Sequence, residues 1–165
     1  MAHKFRWGDA RPSMVLRKTA VVVVVCALLL AAGCGEEGVG DDAVVTVYAS
    51  APLCAGAKQE LARSDGRAGK IGVRVVCLGA TEDGDKLDLA TIGANARRAT
   101  EDSTTVGYLE ASGPATRFSV PILEEAGIAQ ILSNSGSTAM AKLLEAIRDA
   151  GSSGSLRESV LDDFQ

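Results

Sequence analysis

The sequence predicts an α/β fold: a small doubly wound parallel sheet of about four strands with flanking helices. Three observations predict it. Short runs rich in Val, Ile and Tyr alternate four times with longer segments of helical period. That alternation calls for parallel strands joined by right-handed crossovers. The helical segments are rich in Ala, which lets them lie close to a sheet, and no repeat at a solenoid period competes with the assignment.

Each element has a local reason. Val44-Val45-Thr46-Val47-Tyr48 is a β-branched and aromatic run, and so a strand. Ala51 to Arg63 has helical character, opened by Pro52 and closed by Ser64-Asp65-Gly66. Ile71 to Leu78 is the second strand, and Thr81-Glu82-Asp83-Gly84-Asp85 a turn. Lys86 to Thr100 fits a helix with Leu89, Ile92, Gly93, Ala96 and Thr100 on one face. Thr105 to Leu109 is the third strand. Pro114 to Ala126 reads as a helix with Phe118 and Ile122 inward and a kink at Pro121. Ile128 to Leu132 is the fourth strand, and Ser133 to Ser137 a polar loop. Met140, Leu143, Leu144 and Ile147 mark a further helix. Leu156, Val160, Leu161 and Phe164 mark a short last one after the break at Gly151 to Gly154.

The start of the chain follows different rules. Lys4, Arg6, Arg11, Arg17 and Lys18 precede an unbroken apolar run from Ala20 to Ala32, followed by Gly33 and Cys34. A basic region, a short apolar run and small residues are the three parts of a secretory signal. The run is short of the ~20 apolar residues a membrane span needs, although an uncleaved signal anchor is the alternative. Leu30-Ala31-Ala32-Gly33-Cys34 resembles the lipobox of bacterial lipoproteins, with Ala31 where Leu is commonest. That resemblance implies cleavage before Cys34 and a diacylglycerol on its thiol. Residues 1–33 are thus expected to be a signal peptide and 34–43, polar and Gly-rich, a flexible tether. Residues 44–165 would form one lobe. The chain would be an exported cell-membrane lipoprotein facing the periplasm or the cell exterior.

Residues 1–33 hold 5 of the 17 Lys and Arg and 1 of the 21 Asp and Glu, which leaves 12 basic and 20 acidic side chains and a formal charge of −8. The remaining basic residues do not cluster, which argues against a nucleic-acid partner. Cys26 leaves with the signal and Cys34 is lipidated, so Cys54 and Cys77 remain. An even pair in an exported chain suggests a disulfide, with two buried free thiols as the alternative.

Most catalytic chemistry lacks its residues. The only histidine is His3, so the lobe has neither a histidine-based triad nor a histidine metal site. Residues 33–38 match GxGxxG by letter but precede any strand of the lobe. Gly66-Arg67-Ala68-Gly69-Lys70 lacks the Walker spacing, and Asp83, Asp85 and Asp88 lack EF-hand spacing. Glu124-Glu125 reads as a solvated helix surface. The expectation is no enzyme, no cofactor and no metal. Two loops stand out: Glu110-Ala111-Ser112-Gly113-Pro114 and Ser133-Asn134-Ser135-Gly136-Ser137-Thr138. Both fall where a strand's carboxyl end meets the start of a helix, the edge at which open α/β sheets collect ligands. Helix N-termini there suit a carboxylate. Ser112, Gly113, Ser137 and Thr138 are the candidate ligand-binding residues, with ordinary helix capping as the alternative.

Several stretches resemble a known family: Val47-Tyr48-Ala49-Ser50-Ala51-Pro52-Leu53, residues 92–99, Val106-Gly107-Tyr108 and, most specifically, residues 118–128. Together with the closing helix, residues 143–151, they are similar to the N-terminal lobe of type I periplasmic binding proteins. These are the leucine/branched-chain amino acid group that serves ABC importers. The resemblance implies an amino-acid-like ligand held by two strand-to-helix loops, here Ser112-Gly113 and Ser137-Thr138. It also implies ABC-transporter membrane subunits or a second lobe as partners. The chain has no room for a second lobe of similar size. The expected function is therefore a weak or partner-assisted binder. The rival is a non-binding interaction or structural lipoprotein that kept the lobe fold.

Overall fold

A computed structural model describes residues 43–83, 86–151 and 155–165. The expected signal peptide, Cys34 and the tether as far as residue 42 lie outside the described residues. Seven strands and five helices follow in the order β1 (Val44–Ala49), α1 (Ala51–Arg63), β2 (Arg67–Ala68), β3 (Ile71–Cys77), β4 (Glu82–Asp83), β5 (Lys86–Leu87), α2 (Leu89–Glu101), β6 (Thr105–Ala111), α3 (Thr116–Glu125), β7 (Ala129–Ser133), α4 (Gly136–Ala150) and α5 (Leu156–Asp162). Among the described residues no helix is long and apolar enough to cross a membrane.

The sheet runs β2-β3-β1-β6-β7. The four long strands are parallel, and β2 pairs antiparallel with the start of β3. The fold is α/β, as the alternation of strands and helices predicts, but the sheet has five strands rather than four. The sequence hides β2 because two residues carry no period. The turn at Asp65 and Gly66, both at positive φ, and Gly69 at φ 62° fold Arg67-Ala68 back onto Ile71-Gly72. The second small hairpin, β4 with β5, occupies the expected turn and takes Lys86 and Leu87 from the expected helix. Helix α2 therefore starts at Leu89, where Asp88 accepts from Thr91 N at 3.0 Å.

The central strands β1 and β6 are buried along nearly their whole length, as strands covered on both faces must be. Helices α1, α4 and α5 cover one face, over a core that includes Val47, Leu53, Leu109, Met140, Leu143, Ile147 and Val160. Helices α2 and α3 cover the other, over Tyr48, Leu78, Ala99, Tyr108, Leu123 and Ile128. The α1–α4 crossing depends on two glycines. A Cβ on Gly136 would lie 2.0 Å from Leu53 O, and one on Gly56 2.9 Å from Ser137 N.

Two helix faces are rotated from expectation. In α3 the fully buried positions are Ser119 and Leu123, with Phe118 and Ile122 half-buried. The Arg117 guanidinium lies over the Phe118 ring at 4.7 Å. In α2 the inward residues are Ile92, Asn95, Ala96 and Ala99, while Leu89 is exposed. In both helices a polar residue with a partner inside (Ser119, Asn95) takes a place that apolar periodicity assigns elsewhere.

Candidate functional site

Strand β1 lies between β3 and β6, and the chain leaves it toward β3 and later returns to its other side. The carboxyl ends of β1 and β6 therefore form the topological switch point, where this architecture opens a crevice. A cleft of about 340 Å³ lies there. Ser50, Ala51 and Pro52 line it from the start of α1, and Ala80, Thr81 and Glu82 from the segment after β3. Glu110, Ala111, Ser112, Gly113 and Ala115 line it from the β6–α3 connection.

Each wall is fixed by a specific contact. Ser50 stands at the N-cap position of α1 but does not cap it. Its N–H donates to Leu109 O at 2.8 Å and its Oγ accepts from Ala111 N at 3.2 Å, which ties the exits of β1 and β6 together. Helix α3 also begins without a side-chain cap, at Ala115. Both helix starts at the cleft lack a side-chain cap, and their first turns are closed by backbone instead: Leu53 N and Cys54 N donate to Ser50 O, Thr116 N to Gly113 O and Phe118 N to Ala115 O, while Pro52 has no N–H. Asn95 Nδ2 donates to Gly79 O at 3.0 Å and holds the third wall against α2. Cys54 and Cys77 stand at disulfide distance with Cα atoms 5.5 Å apart, joining the first turn of α1 to the end of β3.

Glu110 is the buried charge of the site, with 3 % of its surface exposed. Its Oε2 accepts from Ser119 Oγ at 2.6 Å and from Gln130 Nε2, and Gln130 Nε2 also reaches Ser119 Oγ at 3.0 Å. Burial pushes its carboxyl above the ordinary range, and the hydrogen bonds from Ser119 and Gln130 oppose that shift. Tyr108, beneath it on β6, is also pushed up, first by burial and then by the Glu110 charge.

The four candidate residues are divided by the structure. Ser112 and Gly113 line the cleft. Ser137 and Thr138 are not among its lining residues, because α4 begins at Gly136 and takes both into its first turn. There Ser135 caps the helix. Its Oγ accepts from Thr138 N at 3.4 Å and from Thr138 Oγ1 at 3.1 Å, and shares a hydrogen bond with Ser137 Oγ at 3.2 Å. These hydroxyls serve one another. The adjacent Gly136 is pressed onto the α1 backbone at Leu53 and Ala57. Ser50 is the residue that sequence reasoning missed, since a lone Ser before a helix reads as a cap. Glu110 carried a legible signal: a charged residue in a strand otherwise suited to burial.

A second groove, of about 520 Å³, runs along the outer edge of β7 between Gln130, Ile128, Leu161 and Phe164. It lies away from the switch point. Among the described residues no group of His, Cys, Asp and Glu is placed to hold a metal ion. Comparison with known proteins found no matching family model, no matching curated protein and no matching solved structure.

Proposed function

We propose that the chain is a substrate-binding-protein-like lipoprotein whose single lobe binds a small amino-acid-like ligand in the cleft at the β1/β6 switch point. Lipidation at Cys34 would hold the lobe at the membrane, where ABC-transporter subunits or a second lobe would meet it. The observation that carries this reading is the cleft itself, bounded by two helix starts without side-chain caps. The positive end of each helix dipole favours a carboxylate there. The size supports a small ligand, being near the lower end for small-molecule sites. An open cleft leaves its occupant partly in water, so the affinity is expected to be weak unless a partner covers it.

Isothermal titration of the full chain in mild detergent with a panel of amino acids tests the proposal. Saturable heat at millimolar ligand supports it, and Ser112→Ala should weaken binding while Thr138→Ala should not. Absence of heat from every amino acid would end it.

One observation favours the rival, a lobe that contacts another protein and binds no small molecule. The exposed large apolar residues among those described are Val44, Leu89 and Leu132, and none lines the cleft. A rim built to receive a second lobe would be more apolar. The same titration separates the two readings.

A further inference from the structure

We propose that Glu110 is the cation-binding pole of the cleft, so that its occupant carries a primary ammonium group and that group decides which molecules enter. This rests on the reading of the cleft as a ligand site.

Two independent observations lead to it. The first is an unmatched buried charge. Glu110 is nine-tenths buried and more, and its hydrogen-bond donors, Ser119 and Gln130, are both neutral. Among the described residues no Lys or Arg pairs with it. A carboxylate taken out of water without a cation is costly. A structural role does not account for that cost, because a glutamine would accept from Ser119 equally well and carry no charge. Only Oε2 is engaged by those donors. Glu110 is one of the residues lining the cleft, and Oε1 is not among the buried atoms left without a partner. The second observation is the sign of the lining. Its charged side chains are Glu82 and Glu110, and no Lys, Arg or His is among them. A carboxylate ligand would meet the positive ends of two helix dipoles but also two acidic side chains. A zwitterion satisfies both, with its ammonium toward Glu110 and its carboxylate toward the helix starts. Neutralising a buried carboxylate with a ligand's ammonium is worth more than the same pairing in water. That makes the ammonium the discriminating group.

The test compares matched ligands on the unaltered full chain in mild detergent by isothermal titration. The ligands are alanine and leucine, their deaminated analogues propanoate and 4-methylpentanoate, and their decarboxylated analogues ethylamine and 3-methylbutylamine. The amino acids should bind at least tenfold more tightly than the deaminated acids, and the amines should bind measurably. Deaminated acids binding as tightly as the amino acids would overturn the proposal and leave the ligand site standing. No binding by any of the six would overturn both. Glu110→Gln, checked by circular dichroism for its fold, should lose at least tenfold in amino-acid affinity. Unchanged affinity in that variant would also overturn the proposal, and the comparison on the unaltered chain does not depend on whether the variant folds.

Discussion

On one face of the sheet, Val47, Leu53, Leu109, Met140, Leu143 and Ile147 interlock beneath α1, α4 and α5. On the other, Leu78, Ala99, Leu123 and Ile128 form a thinner apolar layer beneath α2 and α3. There Asn95, Glu110 and Ser119 are buried as well. The first face concentrates hydrophobic stabilisation. The second admits polar groups and holds them dry. A recognition site needs desolvated polar groups, and each of them lowers what burial contributes to stability. The two faces therefore differ in what they hold: one is packed apolar throughout, and the other keeps buried polar groups at a cost in stability.

The largest expected effects lie on the apolar face. Gly136→Ala places a methyl group against the Leu53 carbonyl, which is backbone and cannot turn aside. Helices α1 and α4 must separate, at a cost of about 3 kcal/mol or more. Chemical denaturation measures it, and a cost under about 1 kcal/mol would show that the crossing is loose. Leu143→Ala and Leu123→Ala then compare the two layers directly, since both side chains are fully buried. Leu143 is wedged over Gly107, so its cavity should persist and its loss fall in the upper part of the ~2–5 kcal/mol range. Leu123 lies in the thinner layer, which can collapse, and should fall in the lower part. Equal losses would erase the contrast between the faces.

The sequence made the first face easier to read than the second. The i, i+3, i+4, i+7 spacing of Met140, Leu143, Leu144 and Ile147 identifies α4's inner side, and all four are buried. The limits of α1 are also legible, from Pro52 and from Ser64-Asp65-Gly66. Phase fails in α2 and α3 because apolar periodicity has no weight for a hydrogen bond. Ser119 turns inward to reach a carboxylate nine residues earlier, and Asn95 to reach a carbonyl sixteen residues earlier. The site was half legible for a related reason. Position in the topology marks Ser112 and Gly113. Whether Ser137 and Thr138 join them depends on a helix-helix approach at Gly136 that no local pattern encodes.

Smaller effects sharpen the same comparison. Ser135→Ala removes the cap of α4 and should cost about 1 kcal/mol in denaturation. It should leave amino-acid titration unchanged, because Ser135 is not among the residues lining the cleft. The smallest expected change comes from Glu110→Gln, with opposite sign. The folded-state pKa of Glu110 is raised by burial. The protonated form therefore favours the native state, and its stabilising contribution is fully present below the ordinary value of 4.5. It is lost as pH rises through the folded value. Glu110→Gln should flatten that decline and leave the protein slightly more stable at pH 7, as thermal unfolding across pH would record. An unaltered pH profile would mean that the charge is compensated. Asp102 acts in a different window and with the other sign. Hydrogen bonding from Thr104 lowers its pKa, so its contribution is lost only as pH falls through the folded value, below 3.8.

The link between Cys54 and Cys77 does more than close a loop of 23 residues. It fastens the helix that begins at Ala51 to the strand that leads into Gly79 and Ala80, and so joins two banks of the same cleft. The width of the cleft is then tied to the redox state of this one cysteine pair. With the two thiols reduced, packing alone would hold those banks together. With the bond made, the separation of those two banks is set by covalent structure and no longer by packing alone.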